Sequence, residues 1–274
     1  MTATTFEQKY FGGEVLYGDN FGPEEIAAWF ADEENGYADL VGVEADQPRG
    51  EYGYGALNQL HGFSHLPPGV NYGHVLGFGS NFGDELKPIL ASCDRITLLD
   101  SSKKFQVDAI AGVSVDYLLA QSSGNITLAD QSVDLITCFG VLHHIPNVSK
   151  VLSEFHRVLK PGGFALIREP ITTMGDWRKA RRGLTARERG LPRAWFLETI
   201  QTSGLRVNCA ADCYFPPWIK VLNKCALPTF GHPLVVSVDA VLARLFRFNY
   251  RYHRGGVWSR FGPASLFVVA QRLS

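Results

Sequence analysis

The chain has 274 residues, 46% of them hydrophobic and 19% charged, with a formal net charge of -1. That balance is ordinary for a soluble globular protein and gives no basic surface of the kind nucleic acid requires. The opening MTATTFEQKYFGGEVLYGDN has no basic segment followed by an apolar core, and no apolar run is long enough to span a bilayer, so a cytoplasmic location and no transmembrane segment are expected.

Residues 1–72 are rich in Gly, aromatics and acids. Within them GPEEIAAWFADEENGYADL reads as a helix opened by Gly22-Pro23, and EYGYGALNQLHGFSHLPPG ends in a turn at Pro67-Pro68-Gly69. From residue 74 strands and helices alternate. HVLGF is a first strand, GDELKPILAS a helix, RITLLD a second strand, VDYLLA a third and SVDLITCFGV a fourth. NVSKVLSEFHRVLKPGG is a helix, with Val148, Val151, Leu152, Phe155, Val158 and Leu159 on one stripe and Pro161-Gly162-Gly163 as its stop. FALIREP is a fifth strand. RAWFLETIQTSG is a further helix, LRVNCAADC a strand, and ASLFVVAQRL the last strand. Apolar strands alternating with helices predict an α/β fold whose mostly parallel sheet carries helices on both faces. The cysteines, Cys93, Cys138, Cys209, Cys213 and Cys225, form no C-x-x-C pair, so no metal is expected.

The loop after the first strand, Gly77-Phe78-Gly79-Ser80-Asn81-Phe82-Gly83, lets a ligand approach the backbone closely. The dinucleotide fingerprint G-x-G-x-x-G fits Gly77 and Gly79 but meets Phe82 at its third glycine, which disfavours a nicotinamide-dependent oxidoreductase. Asp100, at the tip of the second strand, suits a ribose; the other reading is a helix cap before SSKKF.

The stretch NITLADQSVDLITCFGVLHHIPNVSKVLSEFHRVLKPGGFALIREP resembles the class I S-adenosylmethionine-dependent methyltransferases, whose usual pattern ends in "vlhHi.d....l.e..rvLkPGG". The resemblance covers about residues 74–170 and implies a Rossmann-like sheet with an antiparallel last strand. It divides the chain into an N-terminal helical lid (1–72), a cofactor-binding core (73–170) and a remainder (171–274). In that remainder a substrate cap (171–193 and the C-terminal insertion 215–262) precedes or interrupts the closing strands. S-adenosyl-L-methionine is the implied cofactor. By position, Gly77, Gly79, Ser80, Asn81 and Gly83 would line its methionine part and Asp100 and Ser101 its ribose. Gln121 and Ser122 would flank the adenine, and Phe139 and Gly140 would present backbone groups to the amino-acid part. The family carries an acid where this chain has Gly77. That departure leaves open a degenerate, methyltransferase-like binding or regulatory protein.

Methyl transfer to a hydroxyl benefits from a general base. His143 and His144 follow the fourth strand, and Glu169 sits at the tip of the fifth; each is a candidate, and each has a structural alternative as a loop-ordering or capping residue. Trp177, Arg178 and Arg187 belong to a basic stretch that either faces solvent or reads a phosphorylated acceptor. The MGDWR…RRGLT…ERG segment is similar to uncharacterised bacterial methyltransferases of polysaccharide gene clusters, which points to O-methylation of a small or sugar-type acceptor in glycan or natural-product biosynthesis. FPPWIKVLNKCALP and HPLVVSVDAVLARLF are amphipathic and predict a cap over the sheet edge, with homodimer or peripheral membrane contact as the alternative.

Overall fold

The computed structural model describes residues 5–40 and 52–273, with side chains for all of these but 34–40. Residues 41–51 of the expected lid lie outside the described residues.

Eight strands form one sheet in the order β3-β4-β2-β1-β5-β6-β8-β7. Its centre is β1 (Val75–Phe78), flanked by β2 (Ile96–Asp100) and β5 (Val133–Phe139). Both pairings are parallel, as are β2 with β4 (Val113–Leu119) and β5 with β6 (Leu159–Pro170). The last strand, β8 (Ser265–Arg272), runs antiparallel between β6 and β7 (Leu205–Cys213). Strands β1 and β2 are buried along their whole length, which is why they read as unbroken apolar runs rather than as alternating ones. Connections leave β1 toward one edge and return at β5 toward the other. The crevice at the carboxyl ends of β1 and β5 is therefore the topological switch point where α/β folds bind ligands.

Each face of the sheet has its own apolar layer. On one, α3 (Val148–Val158) and α4 (Arg193–Thr202) contribute Val151, Leu152, Phe155, Phe196 and Ile200. On the other, α2 (Gly55–His61), α5 (Pro216–Lys224) and α6 (Pro233–Leu245) contribute Leu57, Ile219, Leu222 and Val236. Helix α6 packs on β7 and α2, so the insertion covers the sheet edge, while Leu234, Val238, Val241 and Leu245 remain exposed on its outer side.

Three local expectations are corrected. The segment Asp84–Ser92 is a 3-10 helix rather than an α-helix. Pro88 lies within it, and in an α-helix its ring would collide with the Asp84 carbonyl while its missing N–H broke the ladder. A short strand, β3 (Ala109–Ile110), pairs antiparallel with β4 and was not signalled by the sequence. Helix α3 stops at Val158, ahead of its Pro-Gly-Gly signal; β6 starts at Leu159 with an irregular register, and Lys160 pairs with Asp134 at 2.8 Å.

The lead-in helix α1 (Pro23–Leu40) is anchored by Trp29, which is fully buried and donates from its indole nitrogen to the His144 carbonyl at 2.8 Å. It therefore lies against the loop that follows β5, at the switch point.

Candidate active site

The glycine loop is shaped by what its side chains exclude. Gly79 has a left-handed backbone (φ +64°), and a Cβ there would stand 2.4 Å from a Val141 methyl, so only glycine fits. At Gly77 a Cβ would meet Ser80 Oγ at 2.6 Å and Leu98 at 2.8 Å. The space of the family's acid is thus filled by the Ser80 hydroxyl, which hydrogen-bonds Glu85. Burial pushes the Glu85 carboxyl up to about 7, against the lowering effect of Ser80, and its Oε1 has no partner. Gly83, also left-handed, has Ile110 and Leu98 against it and does not face the crevice.

A cavity opens at the carboxyl ends of β1, β2 and β5. Of the expected cofactor residues, Gly79, Asn81, Asp100, Ser101, Gln121, Ser122 and Gly140 line it, together with His144 and with Phe30 and Glu33 of α1. Gly77, Ser80, Gly83 and Phe139 do not: they stand behind the wall, and the Phe139 ring packs among Phe63, Phe267 and Arg168. Asp100 is 5% exposed and accepts from the Asn81 N–H at 3.0 Å and the Ser101 N–H at 2.8 Å. Burial raises its pKa and those backbone donors oppose the rise. The cap ahead of Lys103–Phe105 is Ser102, not Asp100, whose oxygens keep lone pairs for a ligand at the cavity. Apolar Phe78, Leu99, Ile145 and Val151 complete a wall suited to a flat base and ribose.

The proposed bases behave differently from one another. Glu169 has no exposed surface and accepts from the N–H groups of Val141 and Leu142, both at 2.8 Å, and of His143 at 3.3 Å. It also holds His143 Nδ1 at 2.8 Å. It lines neither cavity; it caps the loop. His143 lies between Glu169 and Glu188, whose Oε1 is 3.5 Å from its Nε2. Burial alone would depress its pKa, but the two carboxylates outweigh burial and hold it at about 9. At neutral pH it is a cation with no capacity to accept a proton. His144 lies against His143, with ring centroids 4.1 Å apart, and binds Glu33 through Nδ1 at 2.8 Å. Burial and the neighbouring cation lower its pKa, so it is the neutral imidazole of the pair. Donor atoms of His143, His144 and Glu188 come within 4.8 Å of one another, a spacing that would also suit a metal. The same atoms also form an ion-paired network, with His143 held between Glu169 and Glu188.

The basic stretch does not face the crevice. Arg178 pairs with Asp176 at 2.8 Å and Glu7 at 2.6 Å, Arg187 pairs with Asp32 at 2.7 Å, and Trp177 packs among Phe6, Phe11 and Tyr17. None of the three lines the cavity, and their contacts tie the lead-in segment to the core. The residue that sequence reasoning undervalued is Arg189. Its side chain is fully buried and donates to the carbonyls of His143 at 2.9 Å, Ile145 at 2.8 Å and Tyr17 at 2.9 Å. Burial draws its pKa down to about 10, so it stays charged at neutral pH. Nothing but its place in a charge run marked it.

A second hollow, of about 370 Å³, lies on the far side of Gly140. Gly140 and His143 form its inner end, and Arg168, Tyr54, Tyr214, Met174 and Arg254 are among its walls. Gly140 is the residue common to both cavities.

Residues 76–167 match the sequence model of a methyltransferase domain. The core has the class I methyltransferase fold. Curated proteins similar to this chain include the ubiquinone/menaquinone biosynthesis C-methyltransferase of Rubrivivax gelatinosus. That protein is 32% identical over 98 residues, which are 35% of this chain and 39% of that protein. The ubiquinone biosynthesis O-methyltransferase of Pseudomonas syringae pv. tomato is 36% identical over 53 residues, 19% of this chain and 23% of that protein. The matches thus span less than half the length of either relative. Among solved structures, the Burkholderia thailandensis 1,6-didemethyltoxoflavin-N1-methyltransferase superposes with a TM-score of 0.54 at 16% identity, covering 93% of this chain and 92% of that one. The [4+2]-cyclase SpnF superposes with a TM-score of 0.54 at 14% identity, covering 94% of this chain and 99% of that one. At these identities the likeness is one of fold.

Two outcomes follow for the glycine loop. Restoring the family's acid with Gly77→Asp should destabilise the protein by about 1–3 kcal/mol through overpacking and should not tighten cofactor binding. The double variant Gly77→Asp/Ser80→Gly should recover much of that loss; chemical denaturation of the three proteins checks both. Because the folded pKa of Glu85 lies above its ordinary value of 4.5, its contribution to stability is complete below that value and is lost as pH rises through about 7. The loss should be roughly 3 kcal/mol, and Glu85→Gln should flatten the stability profile between pH 5 and 8, measured by urea unfolding at each pH. An unchanged profile would mean that Glu85 is solvated.

Proposed function

We propose that the protein transfers a methyl group from S-adenosyl-L-methionine to an oxygen of a small or sugar-type acceptor. The observation that carries the reading is Asp100, a buried carboxylate positioned by two backbone N–H groups at the rim of an otherwise largely apolar cavity. The residues present fit the cofactor: Asp100 would take the ribose hydroxyls, Gln121 and Ser122 would lie at the adenine, and Gly79 and Gly140 would admit the amino-acid part close to the backbone. Its sulfonium supplies an activated methyl, so that the new C–O bond forms as the C–S bond breaks and S-adenosylhomocysteine departs with the electron pair.

The chain's own groups favour electrostatic assistance over proton removal at the second hollow. His143 is already protonated, and its Cε1 lies 3.8 Å from the direction a Gly140 side chain would take. The charge of His143 is offset by Glu169 and Glu188 on either side of it, so Arg168 is the cation that makes the inner end of that hollow positive. An acceptor oxygen there would hold its negative charge more readily and release its proton to solvent before transfer. His144, on the cofactor side, is the remaining candidate base. A glycan or natural-product setting rests on the sequence resemblance of the 171–193 segment, and a cytoplasmic location on the character of the sequence; among the described residues, no helix is long and apolar enough to cross a membrane.

A non-catalytic binding protein is the second reading, motivated by Gly77. Against it stands Ser80, which fills the vacated space and leaves the loop intact. Calorimetric titration separates the two. Wild type should bind S-adenosylhomocysteine, and Asp100→Asn should weaken that binding by about 1.5–3 kcal/mol, the scale of hydrogen bonds to a charged group. A folded wild-type protein that binds neither this ligand nor S-adenosylmethionine would favour the second reading.

A further inference from the structure

The second hollow continues outward into a third. The two share Thr172, Met174, Pro216 and Arg254, and the outer one adds Lys220 and Arg260. The result is a trough that starts at Gly140, on the border of the cofactor cavity, and ends at the surface between α5 and the segment before β8. Among the described residues, no Asp or Glu lines either part of it. Four permanent cations do: Arg168 at the inner end, and Arg254, Lys220 and Arg260 farther out.

The outer cations are not spent on structure to the same degree as the rest of the basic surface. Arg178, Arg187, Arg193 and Arg157 each face a carboxylate. Arg254 instead gives Nη2 to the carbonyls of Gly262 at 2.9 Å and Pro263 at 2.7 Å, and its buried Nε has no partner. Those carbonyls hold the guanidinium in place without neutralising it. Burial lowers its pKa, with Tyr250 opposing that shift and the like charge of Arg260 adding to it. A buried donor without a partner is unfavourable, and like charges brought together add to that cost. An anion seated there would remove both penalties. At the inner end Arg168 is 8% exposed, lies over the Tyr54 ring at 4.0 Å, and is steadied by Asn58 at 3.2 Å.

We propose that this trough is the acceptor site and that the acceptor carries an oxyanion, a carboxylate or a phosphate, bound by Arg254, Lys220 and Arg260 while its reacting end reaches Gly140. The proposal rests on the methyl-transfer reading for its account of the reacting end and deepens it by naming the substrate class. It also moves the anion-reading role away from Arg178 and Arg187. Guanidinium groups suit oxyanions because their paired N–H groups match two oxygens at once.

The test is a titration of the full-length protein with inorganic phosphate and, separately, with benzoate, followed by NMR shifts of the Thr172, Met174 and Arg254 amides. It is run with and without S-adenosylhomocysteine. Saturable shifts with at least one probe are expected, and which probe saturates tells phosphate from carboxylate. Lys220→Gln/Arg260→Gln removes two exposed side chains and should weaken binding at least tenfold while the affinity for S-adenosylhomocysteine stays the same. Arg254→Gln should do the same if it folds; the surface double variant keeps the test valid if it does not. Binding of S-adenosylhomocysteine with no saturable anion binding, or with anion affinity unchanged in the double variant, overturns the proposal. Anion binding that obeys the variants in a protein that ignores S-adenosylhomocysteine upholds the anion site and overturns the methyl-transfer reading instead.

Discussion

The site depends on one loop, residues 140–146, and on two buried ions of opposite charge that hold it. Glu169 takes the N–H groups of Val141, Leu142 and His143, and Arg189 takes carbonyls of His143, Ile145 and their neighbours. A tight loop at the end of a strand has both kinds of backbone group unpaired, and neither can be left so in a buried place. One carboxylate and one guanidinium settle the two deficits, and each ion gains enough hydrogen bonds to offset much of its own desolvation. Gly140 is thereby fixed between two cavities, the lead-in helix finds a carbonyl for Trp29, and His143 is drawn between Glu169 and Glu188. The charge of His143 then follows from its position.

Much of this was legible in the sequence because it rests on periodicity and punctuation. The strands announce themselves as short apolar runs, α3 by its stripe, and the glycine loop by its composition. Asp100 stands out because its type and its place at a strand tip agree, and in the structure it lines the cavity. What escaped the sequence is long-range. Nothing local tells that Glu169 meets backbone donors some 26 to 28 residues earlier in the chain, or that Arg189 belongs to the core while Arg178 and Arg187 belong to surface pairs. A charge run looks uniform in one dimension, and only folding sorts its members into buried, paired and free.

The same limit applies to the cationic trough proposed as the acceptor site. Arg168, Lys220, Arg254 and Arg260 come from β6, α5 and the segment ahead of β8, so no window of sequence contains them together. Their shared property is that, among the described residues, no Asp or Glu lines the hollows they border, which is a fact about space. Gly77 shows the converse. Read alone it suggested a lost function, whereas the Ser80 side chain occupies the volume and links it to Glu85. A missing residue is interpretable only with knowledge of what stands in its place.

If the two cavities flanking Gly140 are a cofactor site and an acceptor site, a crystal of the protein soaked with S-adenosylhomocysteine will reveal it. The ribose is expected on Asp100, the adenine beside Gln121 and Ser122, and the sulfur turned toward Gly140 and the second hollow. Ligand density with the ribose away from Asp100, or with the sulfur turned away from Gly140, would contradict it.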